Sequence, residues 1–264
     1  MTEPSETAPR LDSTQLYSNK AQKYADYRPD FHPAAIASFV EASGLTQTST
    51  VADIGSGTGM LARHLLDHFE RVYAVEPNEA MRLAAEANLG KWPGFHSLAG
   101  SAEKIPLAEN SVDLITAGQA IHWFDPQKAL AEFQRIARPG AWLLLAHIKS
   151  MDENLDAALA SLWTEETGCV PKSRQPRALA VQFSDYFENG IYQRHQFLHT
   201  HPETWECFLG GLESASYAPD EDHPYYEDFV RVARQIFERF SQDRILNWHI
   251  ATEISYGYLK ERGS

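Results

Sequence analysis

Apolar runs alternate with helix-periodic segments from residue 49 to residue 148, and this alternation constrains the fold more than any other feature. We expect strands within the apolar runs 49–55, 71–77, 95–106, 111–124 and 141–148. Apolar residues at helical spacing mark the segments that follow three of these runs, 59–69, 78–90 and 126–140. Strands alternating with helices predict a parallel sheet covered by helices on both faces. Right-handed crossovers then bring the carboxyl ends of the strands to one edge, where we expect the functional site.

Two further helical segments come before this region, and the pattern changes after residue 149. Helical spacing with turn signals predicts helices within 15–29 and 32–44 near the start, and within 155–166, 202–215 and 226–240 later. Residues 192–200 and 251–262 alternate like antiparallel strands. The chain is therefore predicted to be a doubly wound, Rossmann-like α/β protein. Its seven-stranded sheet is mostly parallel, with an antiparallel last strand and a helical cap insertion.

This pattern also predicts a division of the chain. Residues 1–13 are expected to be a disordered lead-in, and residues 14–149 a ligand-binding core with N-terminal lid helices. Residues 150–264 are expected to supply the cap, at about 150–190 and 202–245, and the closing strands of the sheet.

Composition narrows the partners that we expect. The 36 acidic residues outnumber the 23 Lys and Arg, and the net charge of −13 disfavours nucleic acid and anionic membranes. The expected partner is a small molecule. The protein itself is expected to be a monomer or a homodimer. The chain has two cysteines, Cys169 and Cys207, without a C-x-x-C pair, and shows no signal-like or spanning apolar stretch. We therefore expect a cytoplasmic protein.

A glycine-rich turn follows the first predicted strand. Gly55, Gly57 and Gly59 let backbone approach a ligand, and Glu76, at the end of the next strand, is placed to accept ribose hydroxyls. A dinucleotide fingerprint would require glycine where Met60 stands, and the Gly-Lys-Ser/Thr of a phosphate loop is absent. The acid that precedes the glycines, Asp53, is awkward beside a pyrophosphate and suits a cationic ligand. A corner without any ligand is the alternative interpretation.

Several stretches, taken in order, resemble one known family. "VADIGSGTG" (51–59) resembles the first motif of class I S-adenosylmethionine-dependent methyltransferases, and "VYAVEPNEAM" (72–81) resembles the second. "GSAEKIPLAENSVDLITAGQAIHWF" (100–124) resembles the third and fourth, and "ARPGAWLLLAH" (137–147) the turn and strand that follow. The resemblance covers roughly residues 15–148.

The resemblance implies a cofactor and the residues that hold it. The cofactor is S-adenosyl-L-methionine, and the product is S-adenosyl-L-homocysteine. In relatives, matching residues of the core surround the methionine, ribose and adenine, here Asp53, Gly55, Ser56, Gly57, Gly59, Glu76, Pro77, Met81, Ser101, Ala102, Glu103, Gln119 and Ala120. The N-terminal lid of such enzymes would add Tyr24 and Arg28. The arginine would pair with the methionine carboxylate of the cofactor or with an anionic substrate, and a solvated surface arginine is the alternative.

The acceptor is predicted more coarsely. "YADYRP" (24–29) and "AIHWFD" (120–125) resemble the small-molecule branch that includes trans-aconitate methyltransferase and related carboxyl methyltransferases. That resemblance favours O-methylation of a carboxylate or hydroxyl group. The expected substrate contacts are Tyr17, His122, Trp123 and His147. A carboxylate acceptor needs no base, whereas other acceptors would make His122 a candidate general base, or a substrate contact alone.

Three other interpretations stay open. They are a nicotinamide-dependent oxidoreductase, a non-catalytic cofactor-binding protein of the same fold, and a methyltransferase with a macromolecular acceptor. No N-P-P-Y or D-P-P-Y motif follows the fourth strand, so the usual sign of amide or base-nitrogen methylation is absent. No metal is expected, because the pairs His64/His68 and His199/His201 have no third ligand by spacing and are interpreted as surface histidines.

Overall fold

A seven-stranded sheet forms the centre of the protein in the computed structural model, which describes residues 20–163 and 183–261. In chain order the strands are β1 Thr50–Ile54, β2 Arg71–Glu76, β3 Phe95–Ala99, β4 Val112–Gly118, β5 Ala137–Ser150, β6 Gln193–Glu203 and β7 Leu246–Tyr258. Their order across the sheet is β3-β2-β1-β4-β5-β7-β6. The pairs among β1 to β5 are parallel, and β7 is antiparallel to both β5 and β6. The predicted fold, including its antiparallel last strand, is confirmed.

Eight α-helices lie in the described residues. They are α1 Ala21–Tyr27, α2 Pro33–Ser43, α3 Met60–Leu66, α4 Glu79–Leu89, α5 Pro126–Ile136, α6 Glu153–Ala160, α7 Trp205–Glu213 and α8 Tyr226–Phe240. Local chemistry sets several of their ends. The Asn78 side chain accepts a hydrogen bond from the Met81 amide at the start of α4. Gly44 ends α2 with a φ of +69°, a left-handed conformation that glycine adopts without strain.

The apolar side chains form three clusters. One cluster packs β-strand residues such as Leu143 and Leu145 against Phe133 of α5. The second, on the other face, packs the alternate residue Leu144 against α2 and α3. Helices α6, α7 and α8 share the third cluster, around Phe229. The described helices of the predicted cap thus bury their apolar faces against one another.

Some predicted boundaries were wrong. The helix expected over 126–140 ends at Ile136, and β5 begins at the next residue. Pro139 explains the early end, because proline donates no backbone hydrogen bond and disfavours helical backbone at the residue before it. The strand expected over 251–262 runs instead over Leu246–Tyr258. The predicted lead-in 1–13, Tyr17 and Cys169 lie outside the described residues.

The sheet brings six carboxyl ends to one edge. Because β5 and β6 are both antiparallel to β7, β6 runs in the same direction as β1 to β5. The carboxyl edge therefore carries Glu76, Gly118 and Glu203 at the ends of β2, β4 and β6. No helix in the described part of the chain is long and apolar enough to cross a lipid bilayer.

Candidate functional site

The glycine loop lies between β1 and α3 with its three glycines in left-handed backbone. The φ angles are +67° at Gly55, +55° at Gly57 and +85° at Gly59. A Cβ atom on Gly55 would lie 2.7 Å from the Ala120 Cβ, and one on Gly59 would lie 2.6 Å from the Leu89 Cδ1. A Cβ on Gly57 would meet no atom within 4 Å. Two of the glycines therefore permit internal packing, whereas Gly57 borders open space.

Glu76 ties this loop to the end of β2. Its Oε2 accepts a hydrogen bond from the Gly57 amide at 3.0 Å, and its Oε1 accepts one from the Asn78 amide at 2.9 Å. Burial raises the pKa of the Glu76 carboxyl, and these two amide bonds oppose that shift. A carboxylate has about four lone-pair positions. The side chain can therefore hold the loop and still accept hydrogen bonds from a ligand.

Asp53 is the acid that precedes the glycines, and it lies entirely inside the protein. Its Oδ1 accepts a hydrogen bond from the Thr116 hydroxyl at 2.7 Å. Its buried Oδ2 accepts no hydrogen bond of normal geometry from the described residues. Burial raises the pKa of Asp53 to about 7, against the Thr116 bond and with help from the negative charge of Glu76. A cation nearby would return this carboxyl to its ionised form.

The residues of the third motif form a tight loop after β3. Ser101 and Lys104 exchange two backbone hydrogen bonds, and Ala102 is buried between them. The Oε1 of Glu103 accepts a hydrogen bond from the Asp125 amide at 2.7 Å. That contact fixes the loop to the start of α5, a link that sequence spacing did not reveal.

Gln119 follows β4 with a φ of +56°, which is uncommon for a residue other than glycine. Its amide donates to the Ala146 carbonyl at 2.9 Å and keeps the backbone there beside β5. Such strain is concentrated at functional sites, and the next residue, Ala120, lies against Gly55. The structure thus brings the residues of the fourth motif to the glycine loop.

The two candidate histidines have opposite environments. His122 lies in a short 3₁₀ turn and is exposed, with its ring centroid 5.3 Å from that of Trp123. His147, three residues before the end of β5, stacks on Phe183 with centroids 5.3 Å apart. The Nε2 of His147 is buried and has no hydrogen-bond partner among the described residues. Burial lowers the pKa of His147, with Glu253 opposing and Arg194 adding to the effect, so the imidazole is neutral at pH 7.

Helix α1 and the residue that follows it, Arg28, contact other helices of the protein. The guanidinium of Arg28 lies 5.2 Å from the Tyr24 ring centroid, and its Nε donates to the Ser214 hydroxyl at 2.7 Å. Helix α1 packs against both α4 and α7. Tyr24 and Arg28 therefore lie between the core and the cap helices.

The sequence did not predict one acidic residue at this edge. Glu203, at the end of β6, is 2% exposed, and its Oε2 has no hydrogen-bond partner among the described residues. The signal was the alternation of His199, His201 and Glu203, which puts all three on one strand face.

The interpretation of His64 as a surface residue was wrong: it is buried and lies 3.1 Å from an Asp30 oxygen. In the described residues no group of three or more His, Cys, Asp or Glu is arranged to hold a metal.

Glu203 predicts a pH dependence of stability. Burial raises its pKa to about 7 from 4.5, and nearby Arg28 opposes the shift. The folded protein then holds this proton more tightly than the unfolded chain, so the free energy of unfolding falls as pH rises through this window. From pH 5 to pH 8 the free energy of unfolding of the native protein should fall by about 2 kcal/mol more than that of Glu203→Gln, in which this carboxyl is absent.

Urea unfolding at several pH values measures this difference. The matched control is Glu206→Gln, three residues along the chain, because Glu206 is exposed. The pH profile of this control should follow the native one. Equal losses of stability in the native protein and Glu203→Gln would contradict the raised pKa.

Comparisons with known proteins agree with this geometry. A family model described as "Methyltransferase domain" matches residues 52–145. An uncharacterized methyltransferase of Mycobacterium tuberculosis (strain ATCC 25618 / H37Rv) is 32% identical over 212 residues, which cover 80% of this chain and 81% of the relative. A malonyl-[acyl-carrier protein] O-methyltransferase of Marinomonas sp. (strain MWYL1) is 24% identical over 133 residues, 49% of each chain.

Solved structures show the same fold. The structure of a putative type II methyltransferase from Anaeromyxobacter dehalogenans matches with a TM-score of 0.61 at 24% identity. The match covers 89% of this chain and 100% of that one. The likeness therefore extends across the cap region as well as the glycine loop.

Proposed function

Because the chain belongs to the class I S-adenosylmethionine-dependent methyltransferases, we propose that it transfers the methyl group to an oxygen atom of a small-molecule acceptor. The acceptor oxygen is a carboxylate or a hydroxyl group. The observation that carries the proposal is the neutral imidazole of His147 near the end of β5, whose Nε2 is buried without a hydrogen-bond partner among the described residues. The distant relative from Marinomonas, whose name gives it an O-methyltransferase activity, is consistent with oxygen as the acceptor atom.

The residues at the carboxyl edge fit the cofactor. Open space faces Gly57, where the amino-acid part of the cofactor needs a close approach to backbone. Glu76 is placed for the ribose hydroxyls, and the buried Oδ2 of Asp53 gains from a nearby positive charge. We assign the flanks of the adenine to Pro77, Met81 and the 101–103 loop. Bound there, S-adenosylmethionine supplies a methyl group activated by its sulfonium.

The acceptor side is proposed to lie around His147. A Cβ atom on Gly55 would lie 3.2 Å from the Phe124 ring, and Phe124 packs against the same apolar cluster as Leu143 and Leu145 of β5. Since side chains alternate along a strand, His147 lies on the same face as those two leucines. His147 and the glycine loop thus share one face of the sheet at its carboxyl edge.

The neutral imidazole can serve a carboxylate acceptor or a hydroxyl acceptor. A neutral ring donates a hydrogen bond from one nitrogen and accepts one at the other. It can therefore orient a carboxylate by donation, or take the proton of a hydroxyl group as methyl transfer proceeds. Phe183 stacks on the ring and holds its plane, so the side chain is ordered before the acceptor arrives. We place Trp123 beside the acceptor as well. His122 is exposed, and we assign it a contact with the acceptor at the outer end of the site.

Calorimetry and a methyl-transfer assay test the proposal. We expect S-adenosylmethionine and S-adenosylhomocysteine to bind and NAD to give no heat. A panel of carboxylates, alcohols, phenols, thiols and amines, with radiolabelled methyl donor, then identifies the acceptor class. Transfer to thiols or amines alone would contradict oxygen as the acceptor atom, and transfer only to protein or nucleic acid would contradict a small molecule.

His147→Phe is the sharpest variant for the acceptor side. Phenylalanine keeps the stacking on Phe183 but removes a buried nitrogen that has no described protein partner, so stability should hold or rise. If the nitrogen contacts the acceptor, kcat should fall about tenfold with S-adenosylhomocysteine affinity unchanged. The comparison variant His122→Ala should change kcat less than His147→Phe. Unaltered kcat in His147→Phe would remove this residue from the acceptor site.

A further inference from the structure

The lid helix α1 is joined to the cap helix α7 by contacts that the methyl-transfer site itself does not require. Lys20, just before α1, has a side chain that is 8% exposed. Its ammonium donates to the carbonyls of Ala215 and Ala218 at 3.1 and 2.5 Å, just past the end of α7, and lies 3.7 Å from Asp220. A buried ammonium is stable only when such acceptors surround it. Separating α1 from α7 would break all three contacts.

A close packing contact lies about two helical turns further along α1. A Cβ atom on Gly210 would lie 2.4 Å from a ring carbon of Tyr27. Gly210 lies in the middle of α7, where glycine costs about 1 kcal/mol relative to alanine. Its backbone is not in the left-handed region, so conformation gives no reason for glycine here. The residue fits the close approach of the tyrosine ring instead.

An ionic network completes the joint. The Glu213 side chain is 9% exposed, and its Oε2 accepts a hydrogen bond from the Lys23 ammonium at 2.8 Å. The Tyr226 hydroxyl of α8 donates to its Oε1. Arg28 adds the hydrogen bond to Ser214 at the other end of α1. The contacts of α1 with α7 thus extend along its whole length.

Helix α1 also packs against α4, the helix that begins three residues after Glu76. We propose that α1 and α7 move as one unit, so that binding of the cofactor beneath α1 orders the cap on the acceptor side. Lys20, Tyr27 and Glu213 are the positioning residues of this unit. The inference rests on the proposed function, because it takes α1 as the lid of the cofactor site and the cap as the wall of the acceptor site.

Hydrogen exchange of the full-length protein with and without S-adenosylhomocysteine tests the coupling. We expect the ligand to slow amide exchange about fivefold in residues 55–59, 21–27 and 205–213 alike. The test variant is Gly210→Ala, whose methyl group displaces the Tyr27 ring. The matched control is Gly211→Ala, whose Cβ would lie 3.4 Å from the Tyr27 carbonyl oxygen, an ordinary contact.

The variants separate coupling from simple stabilisation. In Gly211→Ala the native pattern should persist. In Gly210→Ala, at equal ligand occupancy, protection should remain at 55–59 and disappear from 205–213, with affinity for S-adenosylhomocysteine weakened about three- to tenfold. Lys20→Met should give the same loss of coupling if the fold of Gly210→Ala is perturbed.

Two results would each overturn a different claim. Protection at 55–59 and 21–27 with none at 205–213 in the native protein would show that the lid closes without the cap, and the coupling would be wrong. Absence of protection at 55–59 at saturating ligand would instead contradict the cofactor site of the proposed function.

Discussion

Gly57→Ala is expected to lower the affinity for S-adenosylmethionine and S-adenosylhomocysteine about 100-fold while leaving the protein folded. The added methyl group meets no protein atom within 4 Å, so it clashes with no atom of the described chain. It enters the space proposed for the ligand, and overpacking of that kind costs up to about 3 kcal/mol. Isothermal titration calorimetry measures the affinity, and thermal unfolding measures the stability.

Gly44→Ala is the matched control for the backbone. Gly44 has a φ of +69°, and a Cβ there also meets nothing within 4 Å, but it ends α2 away from the carboxyl edge. Each substitution forces alanine into left-handed backbone at about 1 kcal/mol, so both variants should lose similar stability. Only Gly57→Ala should lose ligand affinity. Equal affinities in the two variants would remove the open space at Gly57 from the cofactor site.

The features that could be predicted from the sequence are local ones. The spacing of apolar residues and the three glycines place β1, the glycine turn and α3 within residues 50–66. The side chain of Asn78 predicts the start of α4 by its capping hydrogen bond. The residues from Asp53 to Glu76 meet because one right-handed crossover joins two adjacent parallel strands. No long-range information is needed for that half of the site.

The remaining features depend on contacts between distant parts of the chain. Glu203 reaches the carboxyl edge only because β7 is inserted between β5 and β6. The stacking of His147 on Phe183 and the joint between Lys20 and α7 each join residues far apart in sequence. A glycine pair within a helix signals a close approach but does not identify the ring that approaches. The acceptor side is built from such contacts, which explains why the sequence predicts it poorly.

Glu76→Ala is the second large effect, with an expected loss of about 100-fold in affinity for S-adenosylhomocysteine. The carboxylate is proposed to accept hydrogen bonds from two ribose hydroxyls. Hydrogen bonds to a charged group contribute about 1.5–3 kcal/mol each. It also holds the Gly57 amide, so part of the loss arises from the loop itself. Glu79→Ala, an exposed acid three residues along, is the control and should bind normally.

An analogue separates the ribose contact from the support of the loop. Native protein should bind the 2′,3′-dideoxy form of S-adenosylhomocysteine much more weakly than the parent ligand, because the buried carboxylate then lacks its partners. In Glu76→Ala the two ligands should bind nearly alike, since the acceptor of those hydroxyl groups is gone. The dideoxy ligand lacks the ribose hydroxyls, so any difference between its affinity for the native protein and its affinity for Glu76→Ala measures the contribution of the loop. If removal of the hydroxyls lowers the affinity as much in Glu76→Ala as in the native protein, another residue holds the ribose. Glu76 would then bind the Gly57 and Asn78 amides alone.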